Sequence, residues 1–218
     1  MREGAALLER SGTYFHVDAA LTYGKEIDSL RSLSSDFLSV SGHKIYGPKG
    51  VGALVARRQQ GQRRPLTPLM VGGGQEMGWR PGTLPVPLIV GLGAAAELAG
   101  REHAKRREGA AAVKAALLDS LAVADHLVNG DQTRCLTHVL NVSFPGVESE
   151  ALMLAVREQY AFSNGAACTS TTYAPSHVLT AMGLDTDRIA TAIRLSWGPG
   201  IAAIPTAPLL EAIHSLRL

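Results

Sequence analysis

A serine, a histidine and a lysine stand together in the stretch SGHK, Ser41 to Lys44, directly after the apolar run FLSV. The apolar run predicts a strand, and a glycine-bounded turn after a buried strand lies where α/β proteins place ligands. A lysine amine can form a Schiff base with an aldehyde, and the hydroxyl of Ser41 and the imidazole of His43 can bind a phosphate. The grouping therefore indicates a site for a phosphorylated aldehyde. An ordinary surface lysine is the alternative interpretation of Lys44.

A carboxylate ends a second apolar run, since Asp18 closes the segment YFHVD. An ionised carboxylate at the end of a buried strand is unfavourable unless it is paired. Asp18 could cap a turn or helix, or it could keep the nitrogen of a pyridine ring protonated. Because Asp18 and Lys44 each follow a predicted strand, the two together are more informative than either alone.

One of the two cysteines, Cys168, lies among small residues in the segment SNGAACTS. A reactive thiol must be present in part as the thiolate, and a loop of small residues would let such a thiol reach a bound group. An inert buried cysteine is the alternative for Cys168, and it is our expectation for Cys135 beside the segment LTHVLNVSF. Two cysteines cannot form a multi-disulfide scaffold, and their different sequence contexts give no support to the alternative of a single structural bridge, which favours a reducing compartment.

The pattern of elements predicts how these residues are positioned. Over residues 1–85, short helix-like and strand-like segments alternate, which predicts an α/β domain with a mostly parallel sheet and crossover helices. Alanine and leucine at helical spacing predict one long connecting helix over residues 86–121. Residues 122–218 read as strand, helix, strand and closing helix, which predicts a small α+β domain that carries the Cys168 loop.

Composition excludes several classes of function. The chain has 218 residues, 46% of them hydrophobic, and 21 basic residues against 19 acidic ones. The basic residues come in short runs typical of solvated surfaces, so we do not expect direct nucleic-acid binding. We expect no metal site. No stretch approaches a membrane-spanning length and no signal peptide is evident, so we expect a cytoplasmic protein without a membrane anchor.

Six segments occur together in the order and approximate spacing of a known family. From about Thr13 to Gly198 the sequence resembles the pyridoxal-phosphate cysteine desulfurases of the NifS/IscS type. The segments that carry the resemblance are HVDA, SGHKIYGPKGVGAL, GGGQE, RPGTLP, SNGAACTS and IRLSWG. The resemblance implies part of the large domain of fold-type I pyridoxal-phosphate enzymes, followed by their small C-terminal domain.

The resemblance also implies roles in cofactor binding. Lys44 would bind pyridoxal 5'-phosphate covalently and later move a proton, and Asp18 would pair with the pyridine nitrogen. Ser41 and His43 would hold the phosphate. Thr83 would contact the phosphate from the second subunit of a homodimer.

Roles in substrate chemistry follow from the same resemblance. Arg194 would bind the carboxylate of L-cysteine, for which its planar fork of donors is suited, with a structural salt bridge as the alternative. Cys168 would take the sulfur as a persulfide, leave alanine behind and pass the sulfur to an acceptor protein.

The sequence departs from the family pattern at three positions and in length. Leu21 replaces a glutamine that hydrogen-bonds the phenolic oxygen of the cofactor, and Gln75 and Pro81 alter two loop motifs. These changes suggest a specialised desulfurase that serves DNA phosphorothioation rather than general iron–sulfur assembly. Family members also carry a segment before HVDA that this sequence lacks.

The missing segment leaves more than one function open. The chain is a desulfurase or the C-terminal part of one, or it is a non-catalytic module for dimerisation and binding that needs the missing segment for activity. A β-lyase on the same cofactor fold is a third interpretation, which Cys168 disfavours.

Overall fold

The computed structural model describes residues 5, 7–8, 11–59, 61–63, 65–164 and 175–217. The chain forms two compact units, Met1–His103 and Ala104–Leu218, which we call the first and second units. The elements of the first unit are β1 (His16–Asp18), α1 (Ile27–Arg31), β2 (Phe37–Ser41), a 3₁₀ helix (Gly42–Ile45), β3 (Gly52–Ala56), β4 (Arg58–Gln59), β5 (Gln62–Arg63), a second 3₁₀ helix (Gln75–Gly78) and α2 (Val86–Arg101). The helix α3 (His103–Leu121) leads into the second unit, which continues with β6 (Leu127–Val128), β7 (Val139–Ser143), α4 (Ser149–Ala155), α5 (His177–Ala181), α6 (Thr186–Ala190), β8 (Ala192–Ser196) and α7 (Ala207–Leu216).

The first unit is built on a three-stranded sheet in the order β1, β2, β3. β1 and β2 are parallel, as the alternating pattern predicts, and α1 lies in the connection between them. β3 is antiparallel to β2, which differs from the expected run of parallel strands. The reason is length, because the segment from Ser41 to Gly52 is too short to hold a crossover helix, and a parallel return needs one of a dozen residues or more.

Buried and exposed side chains alternate along β1, so one face of this strand packs against the core of the first unit. Val17 is buried between the exposed His16 and Asp18, which is the period of two expected of a strand with one covered face. Val17 packs with Ala19 and Leu33 in a small apolar cluster. This packing fixes the direction in which the β1 side chains point, and therefore the side of the sheet that carries Asp18.

The second unit has a larger core around an antiparallel sheet in the order β6, β7, β8. Val113, Leu117 and Leu121 recur every four residues along α3, so they form one buried stripe on that helix. They pack with buried residues of the strands, of the connections and of α4 and α7, among them Leu140, Val142, Phe144, Leu152, Ile193, Leu195, Trp197, Leu209 and Ile213.

The predicted connecting helix is divided in two. Glu102 separates α2 from α3 with φ −101° and ψ 6°, and its N–H still donates to the carbonyl of Leu98. The side chain of His103 hydrogen-bonds the carbonyl oxygen of Lys25 at 2.9 Å, so the first residue of α3 is fixed to the first unit. The boundary between the two units follows directly after His103.

Within the described residues, no helix is both long and apolar enough to cross a membrane. The same residues contain no group of three histidine, cysteine or carboxylate side chains placed to hold a metal ion.

Candidate active site

Lys44 lies in the 3₁₀ helix that follows β2. Its neighbour Ile45 is 2% exposed, whereas Lys44 itself is exposed, so a buried residue anchors the turn while the amine faces outward. The helix ends at Tyr46, whose φ of 67° is in the left-handed region that side chains other than glycine adopt at some strain. The turn is therefore held by packing rather than by local preference.

Close glycine contacts fix the loop after Lys44 against α2. A Cβ atom built on Gly47 would lie 3.1 Å from the Cβ of Ala95, and one built on Gly91 would lie 2.6 Å from Cγ of Pro48. The loop is also closed on itself, since the N–H of Gly47 donates to the carbonyl of Gly42 at 3.0 Å. Glycine is required at such points because the backbones approach too closely for a side chain.

Asp18 lies at the end of the strand next to Lys44's strand. In the parallel pair, Asp18 is opposite Ser39, two residues before Ser41. Since both strands run in the same direction, Asp18 and the turn with Lys44 emerge at the same edge of the sheet. Asp18 is exposed, and its carboxylate accepts a hydrogen bond from the N–H of Ala20 at 2.9 Å, which orients the side chain at the strand end.

Ser41 and His43 form a hydrogen-bonded pair beside this edge. The Oγ of Ser41 lies 3.0 Å from Nδ1 of His43. A second pair lies lower on the same two strands, where Nε2 of His16 is 2.7 Å from Oγ of Ser39. The structure thus brings Asp18, Ser41, His43 and Lys44 to one edge of the sheet, where an amine, a carboxylate, a hydroxyl and an imidazole are available together.

Thr83 lies in the exposed segment before α2, and its motif RPGTLP is joined by a hydrogen bond to the preceding loop motif GGGQE. The side-chain carbonyl of Gln75 accepts a hydrogen bond from the N–H of Gly82 at 3.1 Å. Gln75, one of the departures from the family pattern, therefore holds the segment next to Thr83. The contact of Thr83 with a second subunit stays a prediction.

Arg194 lies in the second unit, on β8, and is half-buried. It is opposite Asn141 of β7, and its backbone is also bridged to Ser163, with its N–H donating to the carbonyl of Ser163 at 2.6 Å. The backbone of Arg194 is therefore held from both sides. Cys168 lies in the segment 165–174, outside the described residues.

A buried polar network supports Asn141, and sequence reasoning missed it. The side-chain nitrogen Nδ2 of Asn129 donates to Oδ1 of Asn141 at 2.7 Å and to Oγ of Ser143 at 2.8 Å. The side-chain oxygen Oδ1 of Asn129 accepts a hydrogen bond from Nε of Arg188 at 2.7 Å. Such a buried network stiffens the strand pair on which Arg194 lies. Asn129 and Asn141 are 12 residues apart, and no local sequence pattern indicates that their side chains meet.

The structure contradicts the expectation for Cys135 and adds detail to the expectation for Leu21. Cys135 is exposed, and its sulfur lies 3.0 Å from the Nζ of Lys114, so the expectation of an inert buried thiol is wrong. Leu21 is 55% exposed and offers no donor in place of the expected glutamine. The hydroxyl oxygen of the next residue, Thr22, is buried without a hydrogen-bond partner among the described residues.

A lysine near Lys44 was also missed. Lys25 is half-buried in the turn before α1, and burial, together with the positive charge of Lys44, lowers its pKa. Lysines in polar turns are ordinarily exposed, so nothing in the sequence distinguishes this one.

Comparisons with known proteins place these features in context. Residues 2–199 match the model of the family described as aminotransferase class-V. The chain is 42% identical over 200 residues to a cysteine desulfurase IscS of Rickettsia bellii, an alignment that covers 91% of this chain and 48% of that protein. It is 46% identical over 187 residues to a mitochondrial cysteine desulfurase of Drosophila melanogaster, covering 85% of this chain and 40% of that protein.

A solved structure of a related protein also matches this chain. The crystal structure of DndA from Streptomyces lividans matches with a TM-score of 0.76 and 43% identity, over 91% of this chain and 56% of that one. The chain spans about half the length of the relatives it matches, with 48% of the Rickettsia bellii protein covered.

Proposed function

The chain belongs to the aminotransferase class-V family, and on that premise we propose that it is a pyridoxal-phosphate-dependent cysteine desulfurase or the C-terminal part of one. The membership and the solved relatives confirm both the resemblance to NifS/IscS-type desulfurases and the expected fold class. The homologues are named cysteine desulfurases, an enzyme family that depends on pyridoxal phosphate. The observation that carries the proposal for this chain is the placement of Lys44, Asp18 and the Ser41–His43 pair at one sheet edge.

The donor set at this edge fits pyridoxal phosphate. The amine of Lys44 suits the aldehyde, the carboxylate of Asp18 suits the pyridine nitrogen, and Ser41 and His43 offer donors for a phosphate. When bound, the cofactor supplies an electron sink that no side chain of the protein can provide.

In the proposed reaction each residue has a separate task. Lys44 would hold the cofactor through its aldehyde and would move the proton of the substrate's α-carbon, and the carboxylate of Asp18 would hold the ring nitrogen. Arg194 orients the carboxylate of L-cysteine. The thiolate of Cys168 attacks the substrate sulfur, so that an S–S bond forms and the substrate C–S bond breaks. The products are a persulfide on Cys168 and alanine.

The adduct at Lys44 is the direct test of cofactor binding. The purified chain is incubated with pyridoxal phosphate, reduced with borohydride and digested, and the modified peptides are identified by mass spectrometry. We expect the phosphopyridoxyl group on Lys44 and not on Lys49, an exposed lysine of the same loop. Equal labelling of the two lysines would mean that the site does not assemble in this chain. Sulfide release from L-cysteine, with Cys168→Ser as control, then tests the desulfurase step.

A homodimer is the second part of the proposal, and exposed apolar residues support it. Leu69 is 101% exposed, Val71 89% and Val90 65%, in the same part of the chain as Thr83. Apolar groups of this size are unfavourable in water, and a second copy would cover them. Replacing Leu69 and Val71 together by serine should convert the dimer to a monomer, and analytical ultracentrifugation measures this change. The alternative of a non-catalytic module retains this surface, and it predicts a dimer that gives no adduct at Lys44.

The destination of the sulfur belongs to the same proposal. The match to DndA favours DNA phosphorothioation, and the matches to IscS proteins favour iron–sulfur cluster assembly. Transfer of ³⁵S from labelled persulfide to purified acceptor proteins of each system would decide between them.

A further inference from the structure

Asn141 and Arg194 lie side by side on one face of the second unit's sheet. The two residues are opposite each other in the antiparallel register of β7 and β8. The N–H and carbonyl of Arg194 are bonded to Ser163, and the carbonyl of Asn141 accepts from the N–H of Asn129. Asn141 and Arg194 are therefore a non-hydrogen-bonded pair, in which the Cα atoms approach to about 4.5 Å and the side chains are at their closest.

The face of the sheet that carries this pair is not the core face. The strand neighbours of the pair, among them Leu140 and Ile193, are buried in the apolar core, whereas Asn141 and Arg194 are half-buried. Within the described ranges, the guanidinium of Arg194 has no hydrogen bond and no ion pair. These ranges therefore hold no partner for the structural salt bridge that was the alternative for Arg194. A partly buried cation of this kind favours an anionic ligand.

Two hydrogen bonds determine which way the amide of Asn141 is turned. Arginine has only donors, so the atom of Asn129 that lies 2.7 Å from Nε of Arg188 is the oxygen Oδ1. The other terminal atom of Asn129 is then the nitrogen, which donates to Asn141 at 2.7 Å. Asn141 must accept this bond with its own oxygen, so its NH2 group is directed away from Asn129. In the described part of the chain, that NH2 group has no hydrogen-bond partner.

We propose that Asn141 is a second substrate-binding residue, whose NH2 group donates a hydrogen bond to the carboxylate that Arg194 binds. The inference rests on the proposed function, in which this carboxylate belongs to L-cysteine. A carboxylate has about four lone-pair sites, so it can accept a donor from Asn141 in addition to the two that a guanidinium supplies. Asn129 and Arg188 act through Asn141 as positioning residues. Because they orient the amide before the ligand arrives, less side-chain entropy is lost on binding.

The first test is an NMR titration of the wild-type chain without cofactor. The ligand is 3-mercaptopropionate, which has the carboxylate and the thiol of cysteine but no amine, and cysteamine, which has no carboxylate, is the control ligand. The ¹⁵N signals of the Asn141 NH2 group and of Nε of Arg194 are assigned by triple-resonance methods and followed during the titration. We expect 3-mercaptopropionate to shift both signals and cysteamine to shift neither. A shift at Arg194 without one at Asn141 would overturn the proposal, and this test depends on no substitution.

The second test changes the donor and keeps the shape of the side chain. Asn141→Asp retains the oxygen that accepts from Asn129 but replaces the NH2 group by a second oxygen. Loss of a hydrogen bond to a charged group should weaken binding of 3-mercaptopropionate by about tenfold to a hundredfold. Gln159→Glu is the matched control, because it makes the same change from amide to carboxylate at an exposed residue of the second unit. An equal loss of affinity in both variants would mean that the added negative charge, and not the lost donor, causes the effect.

The proposed function and the role of Asn141 fail in different ways. The titration uses no cofactor, so its result is independent of the borohydride adduct at Lys44. If no adduct forms at Lys44, the proposed function fails even where the carboxylate binds. If the adduct forms and Arg194 alone responds to 3-mercaptopropionate, only the role of Asn141 is refuted. If neither residue responds, carboxylate binding by the pair is refuted, whatever the result at Lys44.

Discussion

Replacing Gly91 by alanine should destabilise the first unit even though alanine is the better helix former. In the middle of a helix, the change from glycine to alanine alone is worth about 1 kcal/mol of stability. At Gly91 the new methyl group would lie 2.6 Å from Cγ of Pro48, a ring atom of the loop after Lys44. Because the proline ring cannot turn aside, the loop or the helix must shift, and overpacking of this kind costs about 1–3 kcal/mol.

The matched control lies two residues further along the same helix. A Cβ atom built on Gly93 has no heavy atom within 4 Å, so Gly93→Ala gains the helix propensity without a clash. The free energy of unfolding of Gly91→Ala should therefore be lower than that of Gly93→Ala by about 1–3 kcal/mol, the overpacking cost alone. Gly93→Ala should itself be more stable than wild type.

Two measurements test whether the substitution at Gly91 also disturbs the loop after Lys44. Urea unfolding gives the free energy of each variant, and hydrogen exchange of peptides over β2 and the loop to Pro48 shows where protection is lost. We expect faster exchange in this region for Gly91→Ala and weaker borohydride labelling of Lys44. Equal stabilisation by both substitutions would refute the reasoning, because it would mean that α2 does not hold the loop.

Three further predictions concern stability. Leu140→Ala, in the fully buried core of the second unit, should lower the free energy of unfolding by about 2–5 kcal/mol in urea titrations, whereas the 67% exposed Leu154 should tolerate alanine. Asp185→Ala should cost about 1 kcal/mol because Asp185 accepts a hydrogen bond at the start of α6, and Thr206→Ala, which removes no such bond from α7, should cost less. Lys25→Met should raise the free energy of unfolding at pH 7, because the folded protein lowers the pKa of Lys25 from its ordinary value of 10.5 and so disfavours the charged form. That gain should shrink as the pH rises through the lowered pKa and be absent above 10.5, and a gain independent of pH would contradict this account.

The strands that carry the site could be predicted from the sequence. The apolar runs before Asp18 and Ser41 are long enough to define β1 and β2, and a helical segment between them favours a parallel pair. Since parallel strands end at the same edge, the grouping of Asp18 with Lys44 followed from local pattern alone. Family resemblance added the roles of these residues.

Other features depend on contacts between distant parts of the chain, which local patterns do not record. The direction of β3 is set by the short connection after Lys44, and the break at Glu102 occurs inside a stretch with unbroken helical spacing. Lys25 looks like any surface lysine until Gly24 is seen packed on Ile45. Cys135 precedes the strand segment LTHVLNVSF in sequence, yet it is exposed beside Lys114 in the structure.

Because of the isolated β-bridge between Ser163 and Arg194, hydrogen exchange at the backbone amide of Arg194 measures the stability of this contact. The N–H of Arg194 donates to Ser163, on the side of β8 away from β7. In an antiparallel pair successive amides point in opposite directions, so the amides of Ile193 and Leu195 report on the bond to β7 instead. Exchange at Arg194 relative to these two neighbours therefore measures how often the chain detaches at Ser163, five positions before Cys168. A slow Arg194 amide would mean that the chain leading to Cys168 is held at Ser163, next to the residue proposed to bind the substrate carboxylate, and the measurement needs no label on residues 165–174.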